Sequence, residues 1–182
     1  MDRVDFHKLG STMEEMRGYV ALGSNLGDRE GSLRAGLAGM GRRGLPARAL
    51  SSVWETEPVD SPEPLWFLNM VAEVETALPP RRVLEMLLEV EREVGRVRSV
   101  RNAPRALDLD LLLLGDLRVQ EDGLLLPHPR MWTRRFVLAP LHELAPQLRH
   151  PVSGSTVAEA LASLPGTPTA RSLGPLYNPP LS

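Results

Sequence analysis

A run of four leucines, Leu111 to Leu114, constrains the fold of this 182-residue chain more than any other feature. Residues 106–114 form a short, mostly apolar segment, which is typical of a strand that is covered on both faces. The first half of the segment nevertheless carries Asp108 and Asp110. Two like charges inside a protein are costly unless a cation or an arginine neutralises them. The segment therefore predicts a central strand whose two carboxylates have a positively charged partner.

The spacing of the two aspartates suggests what that partner is. Residues i and i+2 of a strand project from the same face, with their backbones about 6.5 Å apart. Mg²⁺ prefers oxygen ligands and often bridges one or two carboxylates to the phosphates of a substrate. Asp108 and Asp110 are therefore candidate magnesium ligands. On spacing alone, a strand with one face in water remains open as the alternative.

An arginine-rich loop leads directly into this strand. It contains Arg96, Arg98, Arg101 and Arg105. Arginine binds phosphate oxygens with two parallel hydrogen bonds, whereas a loop that only promotes solubility would usually mix in lysine. The chain has a general bias towards arginine, since Lys8 is its one lysine, so a solvated loop also remains open. Carboxylates for a metal beside cations for a polyphosphate are nevertheless the usual components of phosphoryl transfer.

The hydrophobic periodicity predicts the other elements. They are a strand from Tyr19, a glycine turn and a helix capped by Asp28 that ends near Met40; extended chain over 47–57; a proline loop over 58–64; a strand over 66–76 whose core face is Leu68, Met70, Ala72 and Val74; a helix from Pro79 to a cap at Gly95; a short strand at Arg118 and Val119 beside the leucine strand; a helix over 135–144; and a helix from Thr156 to about Leu164. The order β-α-β-β-α-β predicts an α+β fold of the ferredoxin-like type, with an antiparallel or mixed sheet.

Length and composition indicate one domain, which we expect over residues 18–164. Residues 1–17 are expected to be an N-terminal extension, and residues 165–182 a proline-rich, irregular tail. There is no cysteine, and residues 1–17 contain no apolar stretch of the signal-peptide type, so we expect a cytoplasmic protein that does not enter the membrane. The net charge of −2 gives no electrostatic footprint for nucleic acid.

Two further groups of residues could bind a ligand. Phe67 and Asn69 share the non-core face of their strand, where an aromatic ring beside an amide could stack on a flat heterocycle and bind its polar edge. His128, Arg134 and Phe136 could supply additional phosphate or ring contacts. For each of these residues, an ordinary packing or surface role is the alternative.

Residues 101–112, RNAPRALDLDLL, resemble the signature segment of the 6-hydroxymethyl-7,8-dihydropterin pyrophosphokinase family, in which an arginine precedes an Asp-x-Asp strand. The resemblance extends over about residues 18–152. It includes the segments at 21–27 (ALGSNLG), 67–69 (FLN) and 95–98 (GRVR), with Thr56, Pro58, Pro127, His128, Arg134 and Phe136.

The resemblance implies a ferredoxin-like core within a three-layer α/β/α sandwich. It also implies a reaction in which ATP gives its β,γ-diphosphate to the hydroxymethyl oxygen of the pterin and leaves as AMP. We expect a monomer that uses these two small molecules and two Mg²⁺ ions. The implied roles are magnesium ligation by Asp108 and Asp110; catalysis by Arg98 and Arg105 with the two aspartates; pterin binding by Thr56, Val59, Phe67, Asn69 and Phe136; and ATP binding by Glu91, Arg96, Arg98, Arg105, Leu111, His128 and Arg134.

The chain departs from the family pattern at several positions. Asn102 stands where some members have an aromatic residue, in an arginine loop that is one residue shorter, and Glu57 replaces a proline. Leu88, Gly123 and Pro129 replace residues that can approach the nucleotide. These departures affect the expected details of nucleotide contact and loop closure, whereas the aspartate pair and the aromatic pair are retained.

Two other classes of function fit part of the pattern. A metal-dependent nucleotidyltransferase or nuclease could use the same aspartates, but it would need a basic track for its polymer, and the charge balance does not favour one. A ligand-binding regulatory module could use the same fold, because fold alone does not decide function. Such a module would have no use for paired metal carboxylates, so metal-dependent ATP turnover would distinguish it from an enzyme.

Overall fold

A computed structural model describes residues 14–58, 65–95, 106–166 and 169–176. Within these residues the main sheet has six strands and is antiparallel at every pairing. The elements are β1 Met16–Ser24, α1 Arg29–Arg42, β2 Ala47–Leu50, β3 Val53–Thr56, β4 Phe67–Thr76, α2 Pro80–Val94, β5 Asp108–Leu114, β6 Val119–Glu121, β7 Leu124–Leu126, a 3₁₀ turn at Met131–Thr133, α3 Arg135–Leu144, α4 Val157–Ser163 and β8 Ala170–Gly174. The strand order is β5-β1-β4-β3-β8, with β2 also paired to β4. The order confirms the ferredoxin-like prediction.

Local sequence signals explain where the helices begin and end. The Asp28 carboxylate accepts a hydrogen bond from the Gly31 N–H at 2.9 Å and so caps α1. Helix α2 begins at Pro80, where the missing N–H carries no penalty, and ends at Gly95, whose φ of 104° is in the left-handed region. The Thr156 capping box predicted for the last helix is also present. These caps confirm the predicted helices.

The helices cover both faces of the sheet and make three layers. Helices α1 and α2 pack on one face, where the core includes Leu68, Met70, Ala72 and Val74 of β4, as predicted. Helices α3 and α4 pack on the other face, around Val71 and residues of β5. The sheet is therefore the middle of an α/β/α sandwich. No helix in the described ranges is long and apolar enough to cross a membrane.

The position of β5 differs from the prediction. The strand is buried on both faces, as the leucine run indicates, but it lies at the edge of the sheet and pairs only with β1 among the described strands. Its outer backbone groups bond to partners outside the sheet. The Leu109 N–H donates to Glu91 Oε1 at 2.8 Å, and the Leu112 carbonyl accepts from the His128 N–H at 2.7 Å. Burial of the faces therefore does not require a central strand.

A short strand forms near the one predicted at Arg118 and Val119, but as β6 it begins at Val119 and its partner differs. It pairs with β7 in a separate two-stranded sheet rather than beside β5. Gly123, with a φ of 70°, lies in the turn between the two strands. An Asp-Gly pair between two short strands is a strong hairpin signal, and it favours this pairing.

The irregular tail predicted after Leu164 is wrong for residues 170–174. These residues form β8, which pairs with β3 at the edge of the main sheet opposite β5. The Glu57 N–H also donates to the Thr169 carbonyl, and the Thr169 N–H donates to the Glu57 carboxylate at 2.8 Å. At the other end of the chain, β1 begins at Met16, two residues inside the predicted extension.

Candidate active site

A row of three residues crosses the sheet on the face that is covered by α3. Asp108 of β5 is in register with Gly23 of β1, and Gly23 is in register with Asn69 of β4. In the next row Asp110 lies opposite Ala21, so both half-buried carboxylates project from the same face. A Cβ atom at Gly23 would lie 3.0 Å from Asn69 Oδ1. The glycine therefore keeps the space between the carboxylates and the amide open.

The Asn69 amide is fixed by a neighbouring strand. Its Nδ2 donates to Thr56 Oγ1 at 2.7 Å, and the two side chains are 7% and 2% exposed. Thr56 is in register with Phe67, whose ring is half-buried. Because Phe67 and Asn69 are two residues apart on β4, both project from the same face as the aspartates. The structure thus brings the predicted amide, hydroxyl, aromatic and carboxylate groups onto one face.

The start of α3 contributes a second aromatic group above this face. The Arg134 guanidinium carbon lies 5.3 Å from the centre of the Phe136 ring, which is a cation–π distance. Phe136 is half-buried against the core between α3 and the sheet, and α3 contacts β4. The predicted pair Arg134 and Phe136 therefore forms one contact at the helix start.

His128 lies near the two aspartates and near Arg134. Burial lowers the pKa of its imidazole, the charges of Asp110 and Asp108 oppose that shift, and the charges of Arg134 and Arg130 add to it. Its Nδ1 accepts a hydrogen bond from the Arg130 N–H at 3.2 Å. A lowered pKa keeps His128 neutral at neutral pH, so it can form hydrogen bonds there without adding a positive charge.

Comparison with known proteins identifies the family. The sequence profile described as 7,8-dihydro-6-hydroxymethylpterin-pyrophosphokinase (HPPK) matches residues 19–146, more than two thirds of the chain. The chain belongs to this family. The matched segment contains the whole Asp108–Gly23–Asn69 row and extends to α3.

Two bacterial relatives are similar over most of their own length. One is the 2-amino-4-hydroxy-6-hydroxymethyldihydropteridine pyrophosphokinase of Bacillus subtilis (strain 168), which is 44% identical over 131 residues, or 71% of this chain and 78% of that protein. The other has the same name, comes from Methylorubrum extorquens and is 39% identical over 149 residues, or 81% of this chain and 93% of that protein.

The chain is also similar to parts of larger proteins. It is 42% identical to the mitochondrial folate synthesis bifunctional protein of Arabidopsis thaliana, of which it spans 26%. A crystal structure of Plasmodium falciparum HPPK-DHPS matches 84% of this chain and 46% of that chain, with a TM-score of 0.67 and 13% identity. This structural similarity shows that the HPPK fold is shared.

Two of the predicted ATP-binding residues lie on the other side of β5. Glu91 and Leu111 are 1% and 4% exposed, and they face the core beneath α1 and α2 rather than the carboxylate face. Their contact with ATP stays a prediction. Val59, Arg96, Arg98 and Arg105 lie outside the described residues.

Sequence reasoning missed an ion-pair cluster at the ends of β3 and β4, on the α1 side of the sheet. Arg29 of α1 donates to the Trp66 carbonyl at 2.8 Å and to Glu55 at 3.2 Å, and Arg171 of β8 also binds the Glu55 carboxylate. Glu55 precedes Thr56, and Trp66 precedes Phe67. Arg29 therefore links the end of β3 to the start of β4. No sequence spacing could indicate this link, because these residues are 26 and 37 positions from Arg29.

Proposed function

We propose that the chain transfers the β,γ-diphosphate of ATP to the hydroxymethyl oxygen of 6-hydroxymethyl-7,8-dihydropterin, releases AMP and thereby serves folate synthesis. Membership of the HPPK family supports the reaction. The structural observation that carries the proposal is the Asp108–Gly23–Asn69 row. It places carboxylates suited to a metal beside an amide suited to a heterocycle, with an open position between them.

The pterin half of the site would consist of Thr56, Asn69, Phe67, Phe136 and Val59. The hydrogen bond that Asn69 donates to Thr56 fixes the amide in one orientation, so the amide can meet the polar edge of the pterin without first being ordered. Phe67 and Phe136 would stack on the two faces of the ring, an arrangement that suits a flat heterocycle.

The phosphate half would be built around Asp108 and Asp110. Two half-buried carboxylates on one face, with a glycine beside the first, fit the oxygen ligands and open coordination that Mg²⁺ prefers. We propose that they hold two Mg²⁺ ions, which when bound would neutralise charge on the phosphates. The remaining proposed ATP contacts are Arg96, Arg98, Arg105, Arg134, His128 and Leu111, whereas the buried Glu91 bonds to the β5 backbone.

In the proposed reaction the pterin hydroxyl oxygen attacks the β-phosphorus of ATP. The bond between that phosphorus and the oxygen that bridges to the α-phosphate breaks, and its electron pair leaves on AMP. The hydroxyl proton passes to solvent water as the new P–O bond forms. Asn69, Phe67 and Phe136 would align the hydroxyl, and Arg98 and Arg105 would stabilise the charge on the diphosphate as it moves.

The proposal also covers the oligomeric state and the cellular compartment of the enzyme. We propose a monomer, as the resemblance to the family implies. The absence of cysteine fits a reducing compartment, and we propose that the enzyme acts in the cytoplasm on small molecules.

The aspartates provide the test. We expect Asp108→Asn and Asp110→Asn each to lower turnover at least about a hundredfold, because charge stabilisation supplies most of the catalysis in phosphoryl transfer. Asp116→Asn is the matched control, since Asp116 is exposed in the turn after β5. Circular dichroism would verify that all three variants fold. Near-normal turnover in either site variant would show that the pair does not hold the catalytic metal.

A further inference from the structure

Glu91 is a buried carboxylate that the proposed reaction does not require as a ligand or a base. It lies near the end of α2, its side chain is 1% exposed, and its Oε1 accepts the Leu109 N–H at 2.8 Å. Leu109 is the residue between Asp108 and Asp110. The hydrogen bond therefore holds the backbone at the midpoint of the proposed metal-binding pair.

The position of β5 explains why this N–H needs such a partner. The strand lies at the sheet edge, so the N–H groups that point away from β1 have no strand to pair with among the described residues. A buried N–H that has no hydrogen-bond partner destabilises the fold by the full free energy of its desolvation. Hydrogen bonds to a carboxylate are shorter and stronger than those between neutral groups. Glu91 thus accepts the hydrogen bond that a neighbouring strand would accept from a central strand.

The helix that carries Glu91 is itself closely held. The preceding residue, Val90, is fully buried against Gly39 of α1, where an added Cβ would meet the valine at 2.8 Å. On the sheet side, Leu109 and Leu111 belong to the same core as Val90. Close packing on both sides leaves the carboxylate little freedom, so it can transmit the position of α2 to the β5 backbone.

Glu91 and the two aspartates lie on opposite sides of β5. The side chains of Leu109 and Leu111 enter the core under α1 and α2, so Asp108 and Asp110 project towards α3. Glu91 approaches from the α2 side. It can therefore act on the metal pair through the backbone without sharing their metal.

We propose that Glu91 is a positioning residue, whose bond to the Leu109 N–H sets the direction and separation of the Asp108 and Asp110 carboxylates. The proposal rests on the proposed function, because this geometry affects turnover only if the pair binds the metal. Removing a group that orients metal ligands typically lowers activity or metal affinity 10–100-fold.

Two variants separate this role from a general loss of packing. Glu91→Gln keeps an oxygen acceptor for the Leu109 N–H, whereas Glu91→Met has a similar length and no acceptor for it. We expect Glu91→Gln to retain kcat within about threefold. We expect Glu91→Met to fold, to lose kcat by about 10–100-fold and to need more Mg²⁺ for half-maximal turnover, with the KM for ATP within about threefold of the wild type.

A structural measurement accompanies the kinetics. The Leu109 amide proton should exchange slowly with solvent in the wild type and in Glu91→Gln, and faster in Glu91→Met, which nuclear magnetic resonance can follow without any substrate. A raised KM for ATP with unchanged kcat in Glu91→Met would mean that Glu91 contacts the nucleotide, and it would overturn the proposal. Equal exchange rates in all three proteins would overturn it as well, as would equal losses of kcat in both variants.

The controls at the aspartates keep this result separate from the proposed function. If Asp108→Asn and Asp110→Asn kept normal turnover, the metal assignment would fail whatever the Leu109 exchange rates were. If those variants lost turnover while Glu91→Met did not, the metal assignment would stand and the positioning role would be refuted.

Discussion

Replacing Thr56 with valine isolates one hydrogen bond of the proposed pterin site. The Asn69 Nδ2 donates to the Thr56 hydroxyl at 2.7 Å, and both side chains are almost fully buried. Valine has a similar volume but no acceptor. Leaving a buried donor without a partner costs about 1–3 kcal/mol, so we expect the free energy of unfolding to fall by that amount. The Asn69 amide would also lose its fixed orientation. If this weakens the binding free energy of the pterin by about 1 kcal/mol, the Kd rises about fivefold.

Calorimetry with the pterin and with ATP, together with urea unfolding, would measure these effects. Thr56→Ser is the matched control, because it keeps the hydroxyl that accepts from Asn69. We expect the serine variant to bind the pterin almost as the wild type does, and we expect ATP affinity to be unchanged in both variants. Equal pterin affinity in the valine and serine variants would refute the role given to this hydrogen bond.

Three shorter predictions concern other parts of the molecule. Phe67→Ala should weaken pterin binding by on the order of 1 kcal/mol with little change for ATP, and equal losses for both ligands would indicate a purely structural ring. Burial, with the bond to Glu73, raises the pKa of Tyr19 to about 12. The phenol of the unfolded chain ionises near pH 10, so the free energy of unfolding should fall between about pH 10 and 12. The fall should be steeper in the wild type than in Tyr19→Phe. Parallel curves for the two proteins would contradict the raised pKa. Glu57→Pro removes both bonds to Thr169, so the Thr169 amide proton should exchange about tenfold faster, and an unchanged rate would show that these bonds do not hold β8.

The parts of the fold that depend on local signals could be predicted from the sequence. Helix α2 begins and ends where Pro80 and Gly95 require, and the core face of β4 follows from its alternation. The sheet edges depend on pairing between distant segments. The leucine run indicates that both faces of β5 are covered. This is true of a central strand and equally of an edge strand between two layers of helices. Strand β8 has no strong alternation, and it is stabilised by its pairing with β3.

The candidate site divides in the same way. The Asp108 and Asp110 pair and the shared face of Phe67 and Asn69 follow from the period of a strand. Gly23 lies between the amide and the carboxylates because of the register of three strands. No single segment of the sequence encodes that register. The contact of Glu91 with the Leu109 N–H likewise requires the helix to be docked on the sheet.

The products of ATP test the central claim most directly. The protein would be incubated with ATP, Mg²⁺ and 6-hydroxymethyl-7,8-dihydropterin, and the nucleotides and pterins would be separated by chromatography. We expect ATP to be replaced by an equal amount of AMP only when both Mg²⁺ and the pterin are present, with a pterin product that has gained two phosphates. Stoichiometric ADP, or AMP accompanied by free pyrophosphate, would contradict transfer of the β,γ-diphosphate.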